Sequence, residues 1–403
     1  MKKIVKGLTG LLSAGVASLM TLILLVQSTL PDNFYVEPGS EFCITSNLLI
    51  STRLTDFSPK IYDSQGEAYS LRLNLFEEAP VQEVQAPASR RIVVPGGVPF
   101  GITMFTEGVM VVGMSDIQVG TENINPAKNA GIKIGDIILT MNDEPVTRNS
   151  DVARFISESE GAEVKFSIER EGSPLTLYLQ PIQSEYDSSY KAGIWVRDSS
   201  AGIGTLTYYD PESLSFAGLG HAICDVDTGN VMPLSSGEIL DVNISGVNAG
   251  LSGKPGELKG TFAGESPIGK LKYNCDQGIF GSLVQPLLCG DPIPMAFRQE
   301  IVPGKATILA TLSGNKPQSF EIEIEKVNYS GNSPTKNMVV RVTDPTLLAK
   351  TGGIVQGMSG SPIIQNEKLV GAVTHVFVND PTRGYGIFAE IMDEKMKYVE
   401  NNE

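Results

Sequence analysis

The sequence predicts a mainly β, multidomain protein carried on one N-terminal membrane-spanning helix. Three observations predict it. The chain has 403 residues, more than one core of roughly 100 to 200 residues accommodates, so two or three folded units are expected. Its 42 Gly and 24 Pro stand among many Val, Ile and Thr, with 41% apolar and 19% charged residues. That composition favours short strands and turns over long helices. Finally, an uncharged apolar stretch runs from Gly7 to Val26, preceded by Lys2, Lys3 and Lys6.

Residues 1–30 are read as a cytoplasmic tip and membrane anchor. A bilayer-spanning helix needs about 20 residues, the basic flank stays in the cytoplasm, and everything after Pro31 is exported. A removable signal peptide has a shorter apolar core of roughly 7 to 15 residues, although Val26 and Ser28 could serve a signal peptidase. The net charge of −15, with no Lys/Arg run after the first few residues, leaves nothing to track phosphates, so nucleic acid is excluded as a partner. The four cysteines show no C-x-x-C spacing and the two histidines cannot complete a His-rich metal set; neither a metal nor an organic cofactor is expected. Outside the cytoplasm Cys275 and Cys289 could form a disulfide or stay as buried thiols; the sequence leaves both open.

Residues 31–89 are expected to hold a small β segment and a linker. Tyr69 to Leu75 alternates as a strand does, whereas Glu77 to Ser89 is polar, contains Pro80 and Pro87 and shows no sustained period, which predicts the linker. The next unit is placed at 90–182. It contains an apolar strand from Val109 to Met114, a short helix from Pro126 to Asn129 and the run from Ala130 through Gly135-Asp136 to Asn142. A second helix follows from Ser150 to Glu160, with Val152, Phe155 and Ile156 inward. A hairpin then turns at Glu171-Gly172. These residues resemble the PDZ family, an α+β fold that adds an extended peptide to a sheet edge. The resemblance implies that Pro99-Phe100-Gly101-Ile102 is the loop capturing the peptide's carboxylate; Phe100 and Ile102 also read as core residues of a first strand.

Residues 183–403 are again rich in strands, Gly and Pro, with few long amphipathic helices. Two segments there carry chemistry: Phe216-Ala217-Gly218-Leu219-Gly220-His221-Ala222-Ile223, and Gly357-Met358-Ser359-Gly360-Ser361-Pro362, which precedes a hairpin reaching His375. A serine becomes a useful nucleophile when a tight turn exposes it beside a base, with backbone amides facing the developing oxyanion. Gly357 and Gly360 permit such a turn. The same residues would also serve a plain turn between strands. His221 and His375 are the only imidazoles. His221, far upstream of Ser359, is read as the general base, and His375, inside an apolar strand, as a core or wall residue. Ser361 is the rival nucleophile.

The Gly-x-Ser-Gly-Ser-Pro turn ahead of an apolar hairpin is similar to that of chymotrypsin-like peptidases. This implies a double β-barrel with an oxyanion hole from the amides of Gly357 and Ser359. Gly218 to Ile223, Val355 to Asn366 and Gly371 to Thr382 more closely resemble the stage IV sporulation protein B family of signalling serine peptidases in endospore-forming bacteria. That resemblance implies a serine endopeptidase anchored in the forespore membrane, its body in the space facing the mother cell and possible release after self-cleavage. Its substrates would be itself and a membrane-bound regulator of an intramembrane metalloprotease, leading to late sigma-factor activation. It places the nucleophile on Ser359, the base on His221 and an orienting carboxylate on Asp344; Asp225 and Asp227, near His221 in sequence, remain open for the last role. The alternative is a catalytically inactive, membrane-tethered PDZ adaptor.

Overall fold

The computed structural model describes residues 15–18, 20–21, 69–75, 79–86, 90–329 and 333–401. Among them no helix is long and apolar enough to cross a membrane; the expected anchor from Gly7 to Val26 falls mostly outside the described residues. Strands β1 (Tyr69–Leu75) and β2 (Ala79–Ala86) form an antiparallel hairpin, Leu71 facing Val84. The linker expected at Glu77 to Ser89 is therefore largely a strand. Prolines had argued against one, but Pro80 is tolerated near a strand start where the register shifts beside Asn74.

Strand β3 (Ile92–Pro95) leads into β4 (Pro99–Met114), a 16-residue strand that serves two domains. It bends at Gly108, whose φ of +72° belongs to the left-handed region and whose Cβ would stand 2.6 Å from the Ile138 carbonyl oxygen. After the bend, Val109 and Met110 pair with β5 (Ile137–Met141). Helix α1 (Pro126–Ala130) precedes β5; Asn125 caps it by accepting from the Lys128 amide, and Pro126 occupies its first turn. Helix α2 (Asn149–Glu158) buries Val152, Phe155 and Ile156, as the sequence predicts. Strands β6 (Val164–Arg170) and β7 (Ser173–Leu179) form the expected hairpin, with positive φ at Glu171 and Gly172. Buried Asp136 of the Gly-Asp turn is held by Arg170 at 2.7 Å.

Before the bend, β4 belongs to a different body. Residues 99–106 pair on one edge with β8 (Ile194–Tyr209) and on the other with β10 (Leu234–Asn248). The ring runs β4, β10, β11 (Glu257–Cys275), β12 (Gly278–Leu283), β9 (Ser215–Gly218) and β8, closing on β4. The unit expected at 90–182 thus donates its first strand to the peptidase region, and the PDZ unit sits as an insertion between β4 and β8. Phe100, Ile102, Phe216, Leu219 and Ile239 fill this first barrel.

The second barrel is closed by six strands: β13 (Gly304–Ala310), β14 (Gln318–Val327), β15 (Met338–Val342), β16 (Pro362–Gln365), β17 (Lys368–Phe377) and β18 (Asp380–Phe388). Its core continues into Val242, Ile244 and Leu258 of the first barrel, so the two share one apolar seam. Helix α3 (Pro345–Thr351) follows β15. Helix α4 (Ala389–Asn401), missed by the sequence reading, buries Met392 and Met396. Arg91 ties it to the first barrel, bonding Asp210, Asp393 and Glu400 at 2.6 to 2.9 Å. Cys275 and Cys289 are free thiols. They pack into different apolar clusters, which leaves the disulfide alternative without its geometry.

Candidate active site

Ser359 sits where the two barrels meet, on a loop that its glycines make possible. Gly357 and Gly360 both take φ of +94°, a conformation that side chains resist. A Cβ on Gly360 would stand 2.0 Å from the Thr205 carbonyl oxygen and 2.6 Å from the Leu219 amide nitrogen. The loop therefore lies directly against the segment leading to His221. Leu219 and Gly220, just before that histidine, have φ of +63° and +69°. For Leu219 the left-handed conformation costs about 1–2 kcal/mol, and its burial in the first-barrel core offsets that cost.

One strand residue holds both loops. Thr205 of β8 donates its amide to the Ser359 carbonyl at 3.0 Å and its hydroxyl to the Gly357 carbonyl at 2.7 Å, and its own carbonyl accepts from the Leu219 amide at 3.3 Å. Nothing in Ile203-Gly204-Thr205-Leu206 marks this role in the sequence. The peptides that precede the two expected oxyanion donors are pinned as well: the Gln356 carbonyl accepts from Leu258 and the Met358 carbonyl from Ser361. A trans peptide directs its N–H opposite to its C=O, so both bonds fix the directions of the Gly357 and Ser359 amides. Among the described residues neither amide donates to a backbone carbonyl.

The His221 ring bonds the Ala222 carbonyl through Nδ1 at 2.8 Å. A carbonyl only accepts, so Nδ1 carries the proton and Nε2 is left as the acceptor a general base requires. Burial pushes the His221 pKa down, and the Ala222 bond pushes it part of the way back. His375 faces His221 with ring centres 5.0 Å apart. Partial desolvation at the seam, then His221 and Lys336, bring its pKa down to about 4, although the residue still reaches solvent. The Ser359 hydroxyl donates to the Thr374 carbonyl at 2.9 Å, so the side chain must turn before it can meet an imidazole, as is common in unliganded sites.

Three sequence expectations change here. Asp344 is the N-cap of α3: one carboxylate oxygen accepts from the Thr346 and Leu347 amides at 2.8 and 2.9 Å, the other from the Glu321 amide at 3.4 Å. It is a helix-starting residue before Pro345 and has no bond to His221. Asp225 and Asp227 are likewise engaged by Arg197; the group that fixes the imidazole is the Ala222 carbonyl. Ser361, the rival nucleophile, is wholly buried, its hydroxyl without a partner among the described residues. Pro99 to Ile102 form no carboxylate-capturing loop, because β8 and β10 occupy both their edges. Phe100, 1% exposed, packs edge-on to Phe216 and beneath Gly218, so this segment is the floor under the His221 loop. The open cleft of the PDZ unit, about 810 Å³, lies instead between α2 and the start of β8, lined by Val152, Ile156, Ile194 and Trp195.

Comparison with known proteins identifies the family. The family model described as SpoIVB peptidase S55 matches residues 188–393, just over half of the chain, and the PDZ domain model matches residues 100–180. A Lactococcus lactis protein named as a zinc metalloprotease, LL2128, is 36% identical over 81 residues; the match spans 20% of this chain and 18% of that protein's length. Two crystal structures of inactive forms of the Rv3671c protease from M. tuberculosis share 13% identity. One covers 50% of this chain and 83% of its own at a TM-score of 0.28, the other 49% and 84% at 0.27; likeness this slight does not bear on the arrangement here. The Ser359 loop and the His221 loop, both held by Thr205, fall within the matched region, and the chain belongs to the SpoIVB peptidase S55 family of serine peptidases.

Proposed function

We propose that the chain is a membrane-tethered signalling endopeptidase that cleaves itself and a membrane-bound regulator of an intramembrane metalloprotease. The setting is late sigma-factor activation during endospore formation, from the forespore membrane into the space facing the mother cell. Family membership and the apolar stretch from Gly7 to Val26 support this reading. The observation that supports the chemistry is the convergence on Thr205 of the Ser359 loop, through Gly357 and Ser359, and of the segment leading to His221, through Leu219.

In this mechanism the Ser359 hydroxyl leaves the Thr374 carbonyl and turns toward His221. Its oxygen attacks the scissile carbonyl carbon while Nε2 takes the proton, and the Gly357 and Ser359 amides receive the oxyanion. Collapse breaks the C–N bond, and the imidazolium returns the proton to the leaving amine. Water then repeats the sequence on the acyl-enzyme, releasing the acid and restoring the serine. The Ala222 carbonyl keeps the tautomer and supports the transient imidazolium. Substrate tails enter the cleft between α2 and β8, where the second edge of Ile194 to Val196 pairs with no strand among the described residues.

The test is processing of the full chain in membranes together with a candidate regulator. Ser359→Ala and His221→Ala should each abolish both cleavages, a loss of about 10⁴-fold or more, whereas Ser361→Ala should retain them. Cleavage surviving in Ser359→Ala would remove the proposal.

A further inference from the structure

The chain has two histidines, 154 positions apart in sequence, and the fold sets them against each other at the active-site seam with ring centres 5.0 Å apart and planes inclined by 39°. We infer that His221 and His375 together form a binding site for a zinc-class divalent cation, which acts as a reversible inhibitor of the peptidase.

Geometry supports the inference first. Two imidazoles sharing one tetrahedral Zn²⁺, at Zn–N bonds of about 2.0–2.1 Å, hold their ring centres about 5 Å apart. The protein already holds them at that spacing. Nitrogen availability supports it second. His221 gives Nδ1 to the Ala222 carbonyl, the second-shell bond that commonly orients a metal-binding imidazole, and leaves Nε2 free. Among the described residues neither nitrogen of His375 bonds a protein group, and His375 is solvent-exposed. Imidazole nitrogen selects zinc-class ions over Mg²⁺ and Ca²⁺, which prefer oxygen.

The consequence for catalysis is direct. A cation on His221 Nε2 occupies the lone pair that would accept the serine proton, so the base is silenced without any change in fold. Two protein ligands leave the remaining positions to water, which sets the affinity well below that of a closed structural site. The inhibitory consequence rests on the serine peptidase mechanism, but the binding itself does not.

The full chain carrying Ser359→Ala, titrated with Co²⁺, reports binding without activity. One Co²⁺ per chain with tetrahedral visible absorption, and no thiolate charge-transfer band, is expected in that background. The signal should disappear on adding His375→Ala or the more conservative His375→Gln, the folded state of each checked by circular dichroism. In the wild-type chain micromolar Zn²⁺ should stop proteolysis, chelator should restore it, and equal Mg²⁺ should do nothing. His375→Ala or His375→Gln should need at least about 10-fold more Zn²⁺ for half-inhibition. No Co²⁺ signal in Ser359→Ala, or inhibition unchanged in both folded His375 variants, overturns the site. If the chain proves inactive for other reasons, the Co²⁺ titration alone decides.

Discussion

The two barrels contribute unequal parts to the site and are assembled in opposite ways. The second barrel is contiguous in sequence, from Gly304 to Phe388, and supplies Ser359, its glycine turn and His375. The first is stitched together: β4 comes from before the PDZ insertion and β8 to β12 from after it, and this barrel supplies His221 and Thr205. A nucleophile can be placed by local turn chemistry, whereas the base that serves it needs a strand pairing that spans the insertion. β8 embodies the difference, because its first residues line the PDZ cleft while Thr205, further along it, holds both the Ser359 and the His221 loops.

If that seam is where the barrels lock, damage there should exceed damage within either barrel. Gly360→Ala puts a Cβ into the Thr205 carbonyl and the Leu219 amide while forcing a side chain to φ of +94°. It should cost more than about 3 kcal/mol and abolish proteolysis. Thermal unfolding within a few degrees of the wild-type midpoint would show that the loops do not press on one another.

Thr205→Val keeps the shape and removes the hydroxyl bond to the Gly357 carbonyl. A kcat about 10-fold lower with KM little changed is expected, and Thr205→Ser should recover most of it. Equal losses in kcat for Val and Ser would assign the effect to packing.

The pH profile sharpens the comparison from the base's side. The proposed mechanism needs neutral His221, and burial holds its pKa below the ordinary 6.5. Protonation therefore switches the enzyme off only at more acidic pH, and the acid limb of kcat/KM should fall below 6.5. A limb above that value would mean a carboxylate faces the ring during turnover.

Asp344→Ala is the smallest expected effect and separates the second barrel's architecture from its chemistry. Losing an N-cap costs about 1 kcal/mol, visible in denaturant unfolding, while the pH profile of kcat/KM stays in place. Asp344→Asn, which still caps, should be close to wild type. A large kcat loss in Asp344→Asn would restore that carboxylate to the catalytic set.

What the sequence by itself determined is whatever short-range chemistry writes. The alternation of Tyr69 to Leu75, the inward face of α2, the Glu171-Gly172 hairpin and the glycine-flanked Ser359 were all legible because turn propensity and periodicity act over a few residues. Tertiary structure alone decided that Pro99 to Ile102 are barrel floor and not a peptide-capturing loop, that Asp344 caps a helix, that Ser361 is buried, and that Thr205 and the Ala222 carbonyl position the two loops. Each depends on which distant strand takes up a segment's backbone groups. A strand's own residues fix its two faces, but its neighbours are chosen by the closure of the whole sheet.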